Sequence, residues 1–181
     1  QMMANKLGIT ESVPGGSTLA TQIEKYRHSS SGYTNSISDK VRQMASASIR
    51  SYLLGPDTRE MRRQIVLAYL NSMPLSAIPK SGEVHGLGDG LASWFGANFD
   101  EVNKLLNPAA FKPDNQVSVQ QATAFRQVLT TLLSQRRPSY LLGKGFKTLQ
   151  ELADSYLRLM ASQGFITAAL RDAALKITDI K

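Results

Sequence analysis

Apolar residues recur along most of this chain at intervals of three and four, the spacing that gathers one stripe on a helix. No stretch sustains the alternation of a strand between hairpin turns. The pattern predicts an all-α fold. A first helix follows Gly15 and Gly16, with Ser17 or Thr18 as its cap and Leu19, Ile23 and Tyr26 on one face. The polar run RHSSSGYTNSIS, Arg27 to Ser38, reads as a mobile loop. A second helix starts at Ser38 or Asp39, turns Val41, Met44, Ala45, Ser48, Ile49 and Tyr52 inward, and stops at Gly55-Pro56.

Asp57 and Glu60 then stand at the spacing of a capping box. The following MRRQIVLAYLN is apolar around most of its circumference after Gln64, which predicts a central helix enclosed by others. Pro74, Pro79 and Gly82 mark a loop, and Leu87, Leu91, Trp94 and Phe95 a short helix ending near Gly96. NPAAFKPDN, 107 to 115, is the candidate lobe boundary within a single domain spanning 1–181. Val119, Ala122, Phe125, Leu129, Leu132 and Leu133 form a further helical stripe. Thr148 and Glu151 repeat the capping spacing ahead of Leu152, Tyr156, Leu159 and Met160; Gly164 stops that helix and Thr167 opens the last.

Composition narrows the class. The 181 residues are 42% hydrophobic and 19% charged, the balance of one globular domain with a core of its own. A formal charge of +7 favours an anionic partner, whether nucleic acid, phosphorylated substrate or acidic membrane surface. No groove-reading motif or aromatic-basic platform supports nucleic acid, which we do not expect as a partner. The absence of cysteine excludes disulfides, thiolate metal sites and cysteine nucleophiles. The longest apolar run, IVLAYL, is far shorter than the ~20 residues a membrane helix needs. The chain begins at Gln1 rather than methionine, which leads us to expect an excised piece with its targeting sequence upstream.

The stretch VPGGSTLATQIEK, 13 to 25, joins two glycines and two hydroxyls to a helix start. Helix N-termini present free N–H groups and the positive end of a dipole, and glycine lets a phosphate approach the backbone. These are the parts of an anion cradle, and equally those of an ordinary capped helix. The order of residues is not that of a nucleotide P-loop. His28 in a polar loop and His85 beside glycines do not make a metal site. Trp94 and Phe95 read as core rather than as sugar-stacking residues.

GGSTLATQIEK is similar to the G-G-S-T-I-T-Q-Q-L-x-K motif, RRQIVLAYLN to the K-x-x-I-L-E-x-Y-L-N helix, and GLGDGLASWFG to the G-x-x-x-A-x-x-x-Y-F-G segment of one family. QGFIT matches a G-x-I-T that follows that family's fifth motif. In this order the segments resemble the family 51 glycosyltransferases, the peptidoglycan glycosyltransferase domains of bifunctional penicillin-binding proteins. The resemblance implies a lysozyme-like helical lobe with a smaller membrane-contacting lobe, working at the periplasmic side of the bacterial inner membrane. It implies a reaction in which an acceptor sugar hydroxyl attacks the anomeric carbon of a lipid-linked disaccharide-peptide, lengthening a glycan strand as polyprenyl pyrophosphate departs. Carried over residue by residue, it places Ser17, Thr18, Gln22 and Lys25 around the donor, with Arg42 from the R-K-x-x-E motif, Arg62 at a lysine position, and Tyr69 and Asn71 retained from Y-L-N. Lys25 and Arg62 also suit exposed helix charges, and Tyr69 and Asn71 a packing and capping role.

The departures are specific. The family's catalytic base is the glutamate of an E-D-x-x-F-x-x-H-x-G motif that precedes G-G-S-T by more residues than this chain has. In the third motif, read here as RQMAS, Gln43 replaces the lysine and Ser46 the glutamate; Leu67 replaces the glutamate of the fourth, and the fifth motif's arginines are missing from LADSYL. The resemblance admits a divalent metal at the third-motif acid, but Ser46 is a poor ligand for one; no other cofactor is implied. Loss of one acid–base group costs ~10²- to 10⁴-fold in rate, so the chain by itself is expected to be nearly inactive. Glu24, Glu83 and Asp89 are alternative carboxylates. A non-catalytic module that binds cell-wall glycan or lipid pyrophosphate is the second reading.

Overall fold

The computed structural model describes residues 17–28, 36–79, 82–111 and 116–180. Gly15 and Gly16, the loop expected over 29–35, the 112–115 part of the expected boundary and the side chains of Tyr26 and His28 lie outside the described residues. The chain divides into two compact units, Gln1–Tyr69 and Leu70–Lys181.

In the first unit, α1 (Leu19–His28) packs against α2 (Ile37–Ser51), and α3 (Arg59–Ser72) follows. Two polar contacts join α1 and α2. Lys40 Nζ donates to Ser17 Oγ at 2.7 Å, and Arg50 Nε donates to Glu24 Oε1 at 2.6 Å. Both pairs climb the two helices in the same sense.

This seam overturns the expected orientation of α2. Its buried residues are Gln43 and Ala47, whereas Val41 is 59% and Ile49 67% exposed, and Met44, Ala45, Ser48 and Tyr52 are exposed as well. The cause lies on α1, which turns a carboxylate toward its neighbour. A buried carboxylate needs a cation, and Arg50 supplies one only when the face that also carries Gln43 and Ala47 turns inward. The apolar residues on the other side of the helix then face outward.

The same unit corrects three further expectations. Helix α2 starts one residue early, capped by Ser36, whose side chain accepts from Asp39 N. Asp57 and Glu60 do not form a capping box, because Asp57 accepts from the amide and guanidinium of Arg59 instead. Helix α3 is not enclosed: Met61, Ile65 and Tyr69 are buried, but Val66 is exposed and Leu67 is 59% exposed.

In the second unit, the segment expected as a loop is an antiparallel hairpin, β1 (Pro74–Ile78) with β2 (Gly82–His85), irregular in register between Pro74 and Ala77. Then come α4 (Gly86–Phe95), α5 (Phe99–Leu106), a 3-10 turn (Pro108–Ala110), α6 (Val119–Ser134), α7 (Pro138–Leu141), α8 (Phe146–Ser162) and α9 (Ala168–Leu175). The chain is thus mostly helical, as the sequence predicts, with one small sheet among the described residues. The enclosed helix is α6, against which α4, α5, α8 and α9 all pack.

Arg126 binds three elements at the middle of that arrangement. Its guanidinium is 4% exposed, donates to Gln150 Oε1 on α8 and to the carbonyl of Ala174 on α9, and lies 2.7 Å from Asp154 Oδ1. That last contact is an ion pair not aligned as a hydrogen bond. Gln127 Nε2 donates to the carbonyl of Ile180, the last described residue.

Gly96 ends α4 and Gly164 ends α8 at positive φ, and Thr167 caps α9, all as predicted. The Thr148–Glu151 capping box is replaced by a tight coil through Gly143 and Gly145 that feeds α8 three residues earlier. The buried stripe of α8 is Leu149, Ala153 and Leu157, one residue around from the expected face; Leu152, Tyr156 and Met160 flank it half-buried, and Leu159 is exposed.

Candidate functional site

The start of α1 is built locally. Thr18 Oγ1 accepts from Thr21 N at 3.3 Å, and the carbonyl of Thr18 accepts from Gln22 N and from the hydroxyl of Thr21. Thr18 is therefore the cap. Thr18, Gln22 and Lys25 stand at i, i+4 and i+7, one stripe of the helix, whereas Ser17, Thr21 and Glu24 turn toward α2.

Lys40 is the residue that sequence reasoning missed. It stands on the flank of α2 nearest α1 and places an ammonium at Ser17. Arg42, two residues on, lies about 160° around the helix from Lys40 by its 100° step and is exposed; the structure does not bring it to the start of α1. The signal for Lys40 was available only with the α2 face known.

Arg62 is exposed on the first turns of α3, where its charge helps lower the Asp57 carboxyl below its ordinary pKa. The larger causes of that shift are the Arg59 side chain and then the Arg59 amide. Ser46 is half-buried on α2 and Gln43 buried. Of the alternative carboxylates, Glu24 is engaged by Arg50, with Arg27 3.8 Å away, while Glu83 and Asp89 are exposed in the second unit. Over residues 17–69 eight Lys and Arg face four Asp and Glu, so the unit is basic.

Asn71 belongs to the second unit and is exposed, but its backbone is a packing surface. Gly86, at φ +78, leaves room for it: a Cβ there would stand 2.6 Å from the Asn71 carbonyl oxygen. The Gly86 amide donates to Met73 O at 2.8 Å. Asn71 and the glycine segment are thereby locked together within this unit. Phe95 is buried with its ring tilted on Phe146, and Trp94 is half-buried.

The sequence model of the transglycosylase family matches residues 1–130. The chain belongs to that family, the family 51 glycosyltransferases. The mostly helical structure is consistent with the lysozyme-like transglycosylase fold. No match was found among curated proteins or among solved structures. The match covers the first unit, the hairpin, α4, α5 and most of α6; the rest of the transglycosylase chain, with α7, α8 and α9, lies beyond it.

The described residues do not fit a divalent ion. Among the described residues no three His, Asp or Glu side chains gather closely enough to hold one, and Ser46 and Gln43 offer only neutral oxygens. No helix among the described residues is long and apolar enough to cross a membrane.

Proposed function

We propose that this transglycosylase domain is a divergent peptidoglycan glycosyltransferase that grips the diphosphate of a lipid-linked disaccharide-peptide at the start of α1. The observation that carries the reading is the Lys40 ammonium, 2.7 Å from the Ser17 hydroxyl, beside the stripe of Thr18, Gln22 and Lys25. As the polyprenyl pyrophosphate leaves, negative charge grows on its bridging oxygen. Lys40, Lys25 and the amides at the start of α1 oppose that charge, and Ser17 and Thr18 offer hydroxyl donors. Arg42, Arg62 and Asn71 are the remaining family candidates.

Lys40 and Gln43 also have the spacing of the lysine and glutamate in R-K-x-x-E. Aligned on them, the third motif sits three residues earlier than RQMAS, with Asp39 in the arginine's place and Gln43 in the glutamate's. Both registers leave a neutral side chain where the family has an acid. The proton of the attacking hydroxyl requires a carboxylate, and Glu24 is already engaged by Arg50; the family gives that role to the motif ahead of G-G-S-T.

The outward apolar face of α2 supports a membrane surface as partner, on the periplasmic side of the bacterial inner membrane. Glycan strand and lipid-linked precursor are the other partners; nucleic acid is not one. The neutral Gln43, Ser46 and Leu67 favour a second reading, a module that binds the pyrophosphate lipid without turnover.

Titration of the whole chain with a polyprenyl pyrophosphate tests the common part. Lys40→Ala and Lys25→Ala should each weaken binding ~10-fold, the loss of one charge-assisted contact. Absence of binding by the native chain would end both readings. Polymerisation of the lipid-linked precursor then decides between transfer and binding alone.

A further inference from the structure

We propose that the coil joining α6 to α8 is an electrostatic contact surface for an anionic phospholipid bilayer. From Asn115 to Gln150 the sequence has no Asp or Glu, yet it has five Lys and Arg. Arg126 is buried; Arg136, Arg137, Lys144 and Lys147 are all exposed. None of the four makes an ion pair among the described residues.

The backbone gathers them into one knob. Tyr140 N donates to Arg137 O, Gly145 N to Tyr140 O at 2.8 Å, and Phe146 N to Gly143 O, so the chain doubles back between Arg137 and Phe146. The Tyr140 ring is the pivot. The Arg137 guanidinium sits 5.1 Å from its centroid, and Gly145 abuts the same ring so closely that any Cβ would collide with it. Arg137 and the Lys144–Gly145 backbone are thereby both held to Tyr140, with Arg136 beside the first in sequence and Lys147 three residues past Lys144.

Four like charges without a counter-ion repel one another, and an anionic surface relieves that repulsion. The composition of the knob selects the kind of surface. Tyr140 is occupied by Arg137 and Gly145, and Phe146 packs on Phe95, so no ring is left on which a base would stack. Leu141 and Leu142 are buried, so no apolar anchor stands among the cations, as a protein hot spot requires. Charge density alone recognises a dense, laterally mobile layer of headgroup phosphates. The knob lies beyond residue 130, where the family match ends, and the inference does not depend on the transferase reading.

The test is co-sedimentation of the whole chain with vesicles of phosphatidylglycerol mixed into phosphatidylcholine, and with phosphatidylcholine alone, at low and high salt. Each cation near an anionic membrane is worth ~5-fold in affinity, the equivalent of about 1 kcal/mol. The pair Arg136→Gln with Arg137→Gln, and the pair Lys144→Gln with Lys147→Gln, should each lose ~25-fold on anionic vesicles and nothing on neutral ones. The control pair Arg158→Gln with Lys176→Gln removes equal charge from exposed positions elsewhere in this unit and should lose under ~3-fold. Equal losses for patch and control pairs, or no dependence on anionic lipid or on salt in the native chain, would overturn the proposal. So would an oligonucleotide or acidic polypeptide whose binding depends more strongly on these four residues than vesicle binding does.

Discussion

The Arg50 guanidinium donates to the Glu24 carboxylate at 2.6 Å across the seam between α1 and α2, and that carboxylate keeps 2% of its side-chain surface in water. Removing the cation strands a buried charge. Arg50→Met is expected to destabilise the chain by about 3 kcal/mol, the low end of the usual range because Arg50 itself is a third exposed. The double variant Glu24→Met with Arg50→Met should recover most of that loss. Urea denaturation reads both, and a double variant as weak as the single one would refute the pairing as the cause.

Arg126 should be harder to replace. Arg126→Met orphans Gln150, Asp154 and the carbonyl of Ala174 together, at a cost of about 4 kcal/mol. Lysine lacks the planar fork and should rescue little. Hydrogen exchange over Ala168–Leu175 is the local readout: α9 should lose protection before α4 does.

Gly86→Ala meets two obstacles, a left-handed backbone and the Asn71 carbonyl. About 3 kcal/mol of destabilisation is expected. Gly96→Ala, also at positive φ but with open space around it, should cost about 1 kcal/mol. Similar losses at the two sites in thermal unfolding would show that Asn71 does not press on Gly86.

Asp57 and Asp172 set the pH response of two exposed ion pairs. Arg59 and Arg171 respectively hold their carboxyls below the ordinary value. A lowered folded-state pKa means the contribution is complete above the ordinary carboxylate value, about 3.9, and is lost as pH falls through the lowered one. An NMR titration should find the Asp57 midpoint below that of a free aspartate, and Arg59→Gln should raise it. An unmoved midpoint in the variant would discount the pair.

The outward side of α2 should tolerate polar residues. Val41→Ser and Ile49→Ser are expected to change stability by less than about 0.5 kcal/mol, as surface substitutions do. A loss above 2 kcal/mol in either would mean that this side is covered in solution.

The parts of the fold governed by local chemistry were legible. Gly96 and Gly164 stop helices because their backbones turn left-handed, and Thr167 caps because its hydroxyl reaches an amide three residues on. Periodicity reports that a stripe exists, not what covers it. For α2 it marked Val41, Met44 and Ile49 as inward, and the deciding interaction was a carboxylate on another helix. For α3 it marked Val66 and Leu67 as enclosed, whereas the helix that others surround is α6, whose buried Arg126, Gln127, Thr130 and Thr131 do not look like core in a sequence. The hairpin escaped notice because its strands are short and bracketed by Pro74, Pro79 and Gly82. At the candidate site one motif nominates Ser17, Thr18, Gln22 and Lys25, and Lys40 joins them as a candidate only once its helix has been oriented.

The polar seam between α1 and α2 also governs how the two helices fold against each other. Leucine-lined grooves accept several alignments at similar energy, since grease has no preferred direction. A junction closed by Lys40 on Ser17 at one end and Arg50 on Glu24 at the other has a single setting, because sliding by one helical turn severs both links at once. The start of α1 is thus indexed like a key in a lock ward, and its angle to Lys40 is inherited from a contact two turns away.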